Sequence, residues 1–106
     1  MNAIAYTVIA SLPDAAVASE YIEWLKGGHI QRVVAGGALD ARIVRVEQPA
    51  MPIQVESRYT FPGRAEFEAY LRDTAPSLRA EGLERFPVSR GVSFDRRVGS
   101  VVGECR

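Results

Sequence analysis

Hydrophobic and polar positions recur along this chain with two different periods, and the switches between them mark its elements. Residues 3–10, AIAYTVIA, are apolar on both faces and rich in β-branched side chains, as suits a central strand covered on both sides. Pro13 and Asp14 then open a helix, because proline fits a first helical turn and an acid favours the positive end of the helix dipole. Val17, Tyr21, Trp24, Leu25 and Gly28 form one stripe at helical spacing, while Ile30, Val33 and Val34 form another on almost the opposite side. Both stripes can face one sheet only if the helix bends between them. Gly27-Gly28 lies at that point and is the weakest helical dipeptide short of proline, so a break is expected there, with His29 starting the second piece.

Gly36-Gly37 ends the helical region. Residues 39–47 read as a strand and 48–52, QPAMP, as a hairpin connection. The cleanest alternation follows over 53–61, with Ile53, Val55, Ser57, Tyr59 and Phe61 pointing one way and Gln54, Glu56, Arg58 and Thr60 the other. From Arg64 a second helix carries Phe67, Tyr70, Leu71, Thr74 and Leu78 on one side, and Pro76 divides it from a further helical stretch reaching Phe86. Glu68 with Arg72, and Glu81 with Arg85, have the spacing of helix-surface ion pairs. Residues 88–98 are the expected last strand, with a bulge at Gly99; Val88, Val92, Phe94 and Val98 share a face with Arg90 and Arg96.

The order strand-helix-strand-strand-helix-strand predicts an α+β domain of the ferredoxin-like βαββαβ type. Right-handed crossovers then place both helices on one face of a four-stranded antiparallel sheet. The other face is left bare, and its expected mixture of apolar and charged residues is best covered by a second copy packed sheet to sheet. The result is a homodimeric α/β barrel with a small intersubunit cavity.

At 106 residues the chain has room for one domain, residues 1–106, and its 13 basic and 13 acidic residues cancel. That balance leaves no basic footprint for nucleic acid and none for an anionic membrane. No stretch approaches the roughly 20 apolar residues of a membrane helix, and a cytoplasmic location is the plain expectation. The lone cysteine, Cys105, excludes an internal disulfide and a four-cysteine zinc site; no metal-ligand spacing occurs and no metal is expected.

Two segments carry a family resemblance. EWLKGGHI, residues 23–30, is similar to the tryptophan, short spacer, His-Ile segment of small dimeric α/β-barrel proteins. AYLRDTAPSLRAEGLERF, residues 69–86, resembles the second helix of one uncharacterised domain-of-unknown-function family in that group. With the Tyr59-Thr60 strand end the likeness spans nearly the whole chain, and it implies the fold and the dimer rather than a reaction. The wider group resembles the antibiotic-biosynthesis monooxygenases and includes cofactor-free oxygenases, cyclases, haem-degrading enzymes and proteins without known activity.

His29 is the one side chain whose ordinary pKa suits proton transfer near neutral pH. At the predicted break it would reach the mouth of the barrel cavity as a catalytic base or ligand anchor; its structural alternative is to cap the second helical piece. Tyr6, Tyr59 and Trp24 are candidate donors to a carbonyl ligand, against the commoner role of core aromatics with one satisfied polar tip. Glu56, Arg58 and Gln54 share a strand face and become ligand-binding candidates if that face lines the intersubunit cavity; otherwise they pair across the dimer or with Arg42. No cofactor motif is present, and haem ligation would rest on His29 alone. The expectation is a cofactor-independent enzyme acting on a small apolar carbonyl or aromatic compound, or else a non-catalytic dimer that binds a small ligand or a partner protein. A pocket joining His29 to a carboxylate or tyrosine favours the enzyme; a filled barrel favours the other.

Overall fold

In a computed structural model, which describes residues 2–106, the chain forms β1 (Ile4–Leu12), α1 (Ala15–Trp24), a wide helical turn (Leu25–His29), α2 (Ile30–Ala35) and β2 (Asp40–Arg45). There follow β3 (Ile53–Phe61), α3 (Arg64–Asp73), α4 (Ala75–Arg85) and β4 (Ser93–Ser100). The strands are antiparallel in the order β2-β3-β1-β4, as the βαββαβ reading requires.

Asp14 caps α1 by accepting a hydrogen bond from the Val17 amide at 2.9 Å. The break falls where the two stripes demand it. Gly28 sits at φ 145°, a conformation open to glycine but not to L side chains, and α2 resumes at Ile30 in a new phase. The bend turns Val33 into the core, 1 % exposed, whereas Val34 is left outward at 38 %. Pro76 stands in the first turn of α4, where its missing amide costs nothing.

Three details differ from expectation. Residues 88–90 form a 3₁₀ turn closed by Gly91 at φ 78°, which packs on Pro13, so β4 starts only at Ser93. Gly99 pairs with Ala5 in unbroken register rather than in a bulge. The helix-surface pairs are exchanged for others: Arg72 binds Asp73, Glu81 binds Arg32, and Arg85 turns to Glu20. In the last two cases a partner on another helical segment wins over the partner one turn away.

The sheet has two unlike faces. On one, Ile4, Tyr6, Ala10 and Leu12 of β1 and Val55, Tyr59 and Phe61 of β3 are buried beneath the helices. Their core is not continuous. One cluster gathers Tyr6, Tyr59, Phe61, Phe67, Tyr70 and Leu78, and the other Leu12, Tyr21, Leu25, Val55, Phe86 and Val92. Strand β4 lies outside both helices' shelter, with Phe94 its only half-buried residue.

The other face is uncovered and more polar than the sequence led us to expect, because Phe94 and Val98 turn to the helix side. Its rows across the strands are Arg42, Arg58, Thr7 and Arg97, then Val44, Glu56, Ile9 and Asp95.

Candidate functional site

A small hollow of about 40 Å³, open to solvent on one side, lies at the seam between the two core clusters. Its floor is the helix-covered face of the sheet, with Tyr6 and Val8 from β1, Tyr59 from β3, and Phe94 and Arg96 from β4. Its walls are Tyr21 and Trp24 of α1, His29 at the helix break, Tyr70 of α3, and Leu78, Arg79, Gly82 and Leu83 of α4. Trp24 lies 3.5 Å from where a side chain at Gly82 would begin, an ordinary contact that places α1 against α4 at this end.

His29 is placed there by the bend at Gly28. Its ring stacks on Trp24 with centroids 4.2 Å apart and planes 29° apart. Among the described residues it makes no hydrogen bond to protein, and its buried Nδ1 is without a partner. No hydrogen bond orients the ring; the indole face of Trp24 does so instead. Burial, then the nearby Arg32 guanidinium, opposed by Glu81, pulls the imidazole down to about 4, so it is neutral at physiological pH. The sequence-based role of a shuttle titrating near pH 7 is thereby replaced by that of a neutral acceptor with a free lone pair.

Two other buried polar atoms in the lining have no partner, the Tyr59 hydroxyl and Arg79 Nε. Burial raises Tyr59 to about 12; Ser57 beside it tempers the rise without making a hydrogen bond of ordinary geometry. Tyr59 is therefore a protonated donor. Arg79 Nη2 donates to the Tyr6 hydroxyl at 3.2 Å, and Tyr6 stacks on Tyr59 at 5.9 Å. Tyr21 and Tyr70 are also held protonated by burial, with the Arg96 charge working against the rise in both.

Of the expected site residues, His29, Tyr6 and Tyr59 come together here, with Trp24 beside them. Glu56 and Arg58 do not. They lie on the uncovered face, where the Arg58 guanidinium pairs with the Glu56 carboxylate at 2.8 Å, and Arg42 stands opposite Arg58 rather than pairing with it. The hollow itself lies within the single chain, between α4 and the sheet. Sequence reasoning missed Tyr21, Tyr70, Arg79 and Arg96 as site residues. Arg96 carried a signal, being a charge on the apolar face of its strand; Arg79 offered only its place beside Leu78 on α4.

Among the described residues no cluster of His, Cys, Asp and Glu could hold a metal ion, and no helix is long and apolar enough to cross a membrane. The profile of a family described as Domain of unknown function (DUF4286) matches residues 3–100. No curated protein matches the sequence.

Solved structures with the same fold include a dimeric ferredoxin-like protein from an uncultured marine organism. It has TM-score 0.74 and 17 % identity, covering 99 % of this chain and 100 % of that one. The monooxygenase ActVA-Orf6 of Streptomyces coelicolor, in complex with nanaomycin D, aligns with TM-score 0.75 and 14 % identity over 99 % and 92 %. SnoaB, a cofactor-independent oxygenase from Streptomyces nogalater, aligns with TM-score 0.69 and 8 % identity over 98 % and 97 %. At such identities the likeness is one of fold.

Proposed function

For a chain that belongs to the family described as Domain of unknown function (DUF4286), we propose a cofactor-independent enzyme whose helix-to-sheet hollow binds and deprotonates a planar aromatic compound bearing a carbonyl or acidic hydroxyl. The observation that carries this reading is the convergence of three buried, unpartnered polar atoms on one aromatic cavity: His29 Nδ1, Tyr59 Oη and Arg79 Nε. Buried polar groups are nearly always hydrogen-bonded, and an unpaired one costs about 1–3 kcal/mol. Three such atoms around an open hollow are accounted for by a ligand that pairs with them.

The chemistry follows from their types. His29 Nδ1 accepts a proton from the carbon next to the ligand carbonyl, or from its hydroxyl. The released electron pair becomes an enolate or phenolate, and the negative oxygen is held by the Tyr59 hydroxyl and the Arg79 guanidinium. Placing fixed donors where charge develops is the main source of such stabilisation. An imidazole with a pKa near 4 is a weak base, which restricts the substrate to acidic protons. The cofactor-independent oxygenase of the same fold supports catalysis without a cofactor.

The test is deuterium exchange into an aryl ketone such as 2-tetralone, followed by NMR. Wild type should accelerate exchange over buffer, and His29→Asn should lower the rate by about 10²–10⁴. Tyr59→Phe should lose part of the rate while keeping the bound ketone. Binding without exchange would favour the alternative, a non-catalytic ligand-binding module.

The same proposal includes a homodimer through the uncovered face. A basic row lying beside a row with Glu56 and Asp95 is self-complementary about a twofold axis running between the rows. The dimeric ferredoxin-like protein of the same fold supports it. Light scattering should give twice 11.6 kDa at micromolar concentration; a monomer mass would remove the dimer and leave the intrasubunit site standing.

A further inference from the structure

The cavity has a charge imbalance that its neighbours do not correct. Its only formally charged side chains are Arg79 and Arg96, and no aspartate or glutamate lines it. The ion pairs of the described residues use Lys26, Arg32, Arg58, Arg72, Arg85 and Arg90 as cations, and neither cavity arginine. Arg79 is half-buried, and its one hydrogen bond goes to the neutral Tyr6 hydroxyl. A guanidinium carries five N–H donors, so most of its capacity is unspent.

Arg96 lines the same hollow from β4. It pairs with Val8 in β1, two residues along the same face from Tyr6, the residue Arg79 holds. Both guanidiniums act on Tyr70 in the same direction, which puts their fields in one space. Arg79, drawn partly out of water, needs a counter-charge and none of the ion pairs supplies it, while the exposed Arg96 adds a second positive charge to the same hollow.

Resting on the reading of this hollow as a ligand site, we infer that its ligand is an aromatic carboxylate. Its anionic group sits between Arg79 and Arg96 at the opening, and its ring lies inward against Trp24, Tyr21 and Phe94. The guanidinium fork matches a planar carboxylate with two parallel hydrogen bonds, and the aromatic walls match a flat ring.

Matched probes separate this inference from the reading beneath it. Calorimetric titration of the wild-type protein with 2-naphthoate and with its uncharged analogue 2-naphthamide should show the acid binding about tenfold to a hundredfold more tightly. Arg79→Gln should remove most of that preference, Arg96→Gln part of it, and Arg79→Lys should retain some. Circular dichroism melts of each variant identify any loss due to misfolding, and the acid-to-amide ratio in Arg96→Gln remains readable if Arg79→Gln does not fold. Equal binding of acid and amide overturns the carboxylate and leaves the aromatic site intact. A preference that persists in the double Arg79→Gln/Arg96→Gln variant also overturns it, since the charge would then be read elsewhere. If neither compound binds, the aromatic site itself fails and this inference falls with it.

Discussion

The two faces of the one sheet treat polar groups in opposite ways. On the uncovered face Glu56 and Arg58 lie two residues apart on β3 and satisfy each other at 2.8 Å. On the helix-covered face, one residue further along the same strand, the Tyr59 hydroxyl is buried with no partner at all. An exposed ion pair is worth little and needs no explanation beyond water. An unpaired hydroxyl under a helix is costly, and three such atoms around one opening are the groups the proposed ligand would pair with. Polarity by itself does not single out the face of the proposed site; unsatisfied polarity under cover does.

The sharpest test of that contrast is one of stability. Phe61→Ala, on the covered face at a fully buried position, should cost about 3–5 kcal/mol in urea unfolding. Arg58→Ala, three residues away on the uncovered face, should cost less than about 1 kcal/mol. Comparable costs would mean that the uncovered face is as thoroughly packed as the covered one.

The next effect is one of pH. His29 has a folded pKa near 4 against an ordinary 6.5, so the unfolded chain takes up its proton first as pH falls. Its contribution is therefore fully present above about pH 6.5 and declines as pH drops toward 4, by roughly 2–3 kcal/mol in all. Carboxylates titrate in the lower part of that window, so the quantity to measure is the difference between wild type and His29→Asn. The variant should show a shallower fall from pH 6.5 to 4. Parallel curves would mean that the imidazole is as solvated as any group on the open face.

A third test asks whether the helix break serves the covered face. Gly28→Ala forces an L side chain to φ 145° and should cost about 1–3 kcal/mol, with loss of ligand response as His29 shifts. Gly27→Ala, where an added methyl group meets open space, should be neutral or stabilising by up to about 1 kcal/mol. Chemical denaturation of the two variants distinguishes them, and equal effects would dissolve the link between the bend and the site.

The smallest effect concerns the uncovered face alone. Glu56→Gln should change unfolding by no more than about 1 kcal/mol while making the dimer weaker at low salt, read by light scattering across ionic strength. No change in association at any salt would detach these charges from the interface.

Much of the fold was legible because its determinants are local. The alternation over 53–61 assigned every β3 side chain to its face, and the phase conflict between the two apolar stripes located the break at Gly27-Gly28. Pro76 divided the second helical region for a reason internal to one turn. The errors arose where distant partners intervened: Arg85 chose Glu20 over Glu81, and residues 88–90 became a turn because Gly91 packs on Pro13.

The site divides in the same way. Sequence by itself determined the element order, the two faces of β3, the helix break and the candidacy of His29, Tyr6 and Tyr59, since each depends on spacing within a few residues. Only the tertiary structure decided that these three meet Arg79 and Arg96 in one hollow while Glu56 and Arg58 stay outside it. A cavity is the volume left over when α1, α4 and β4 have each packed as far as their side chains allow. That remainder depends on segments far apart in the chain at once, and no periodicity along it records the sum.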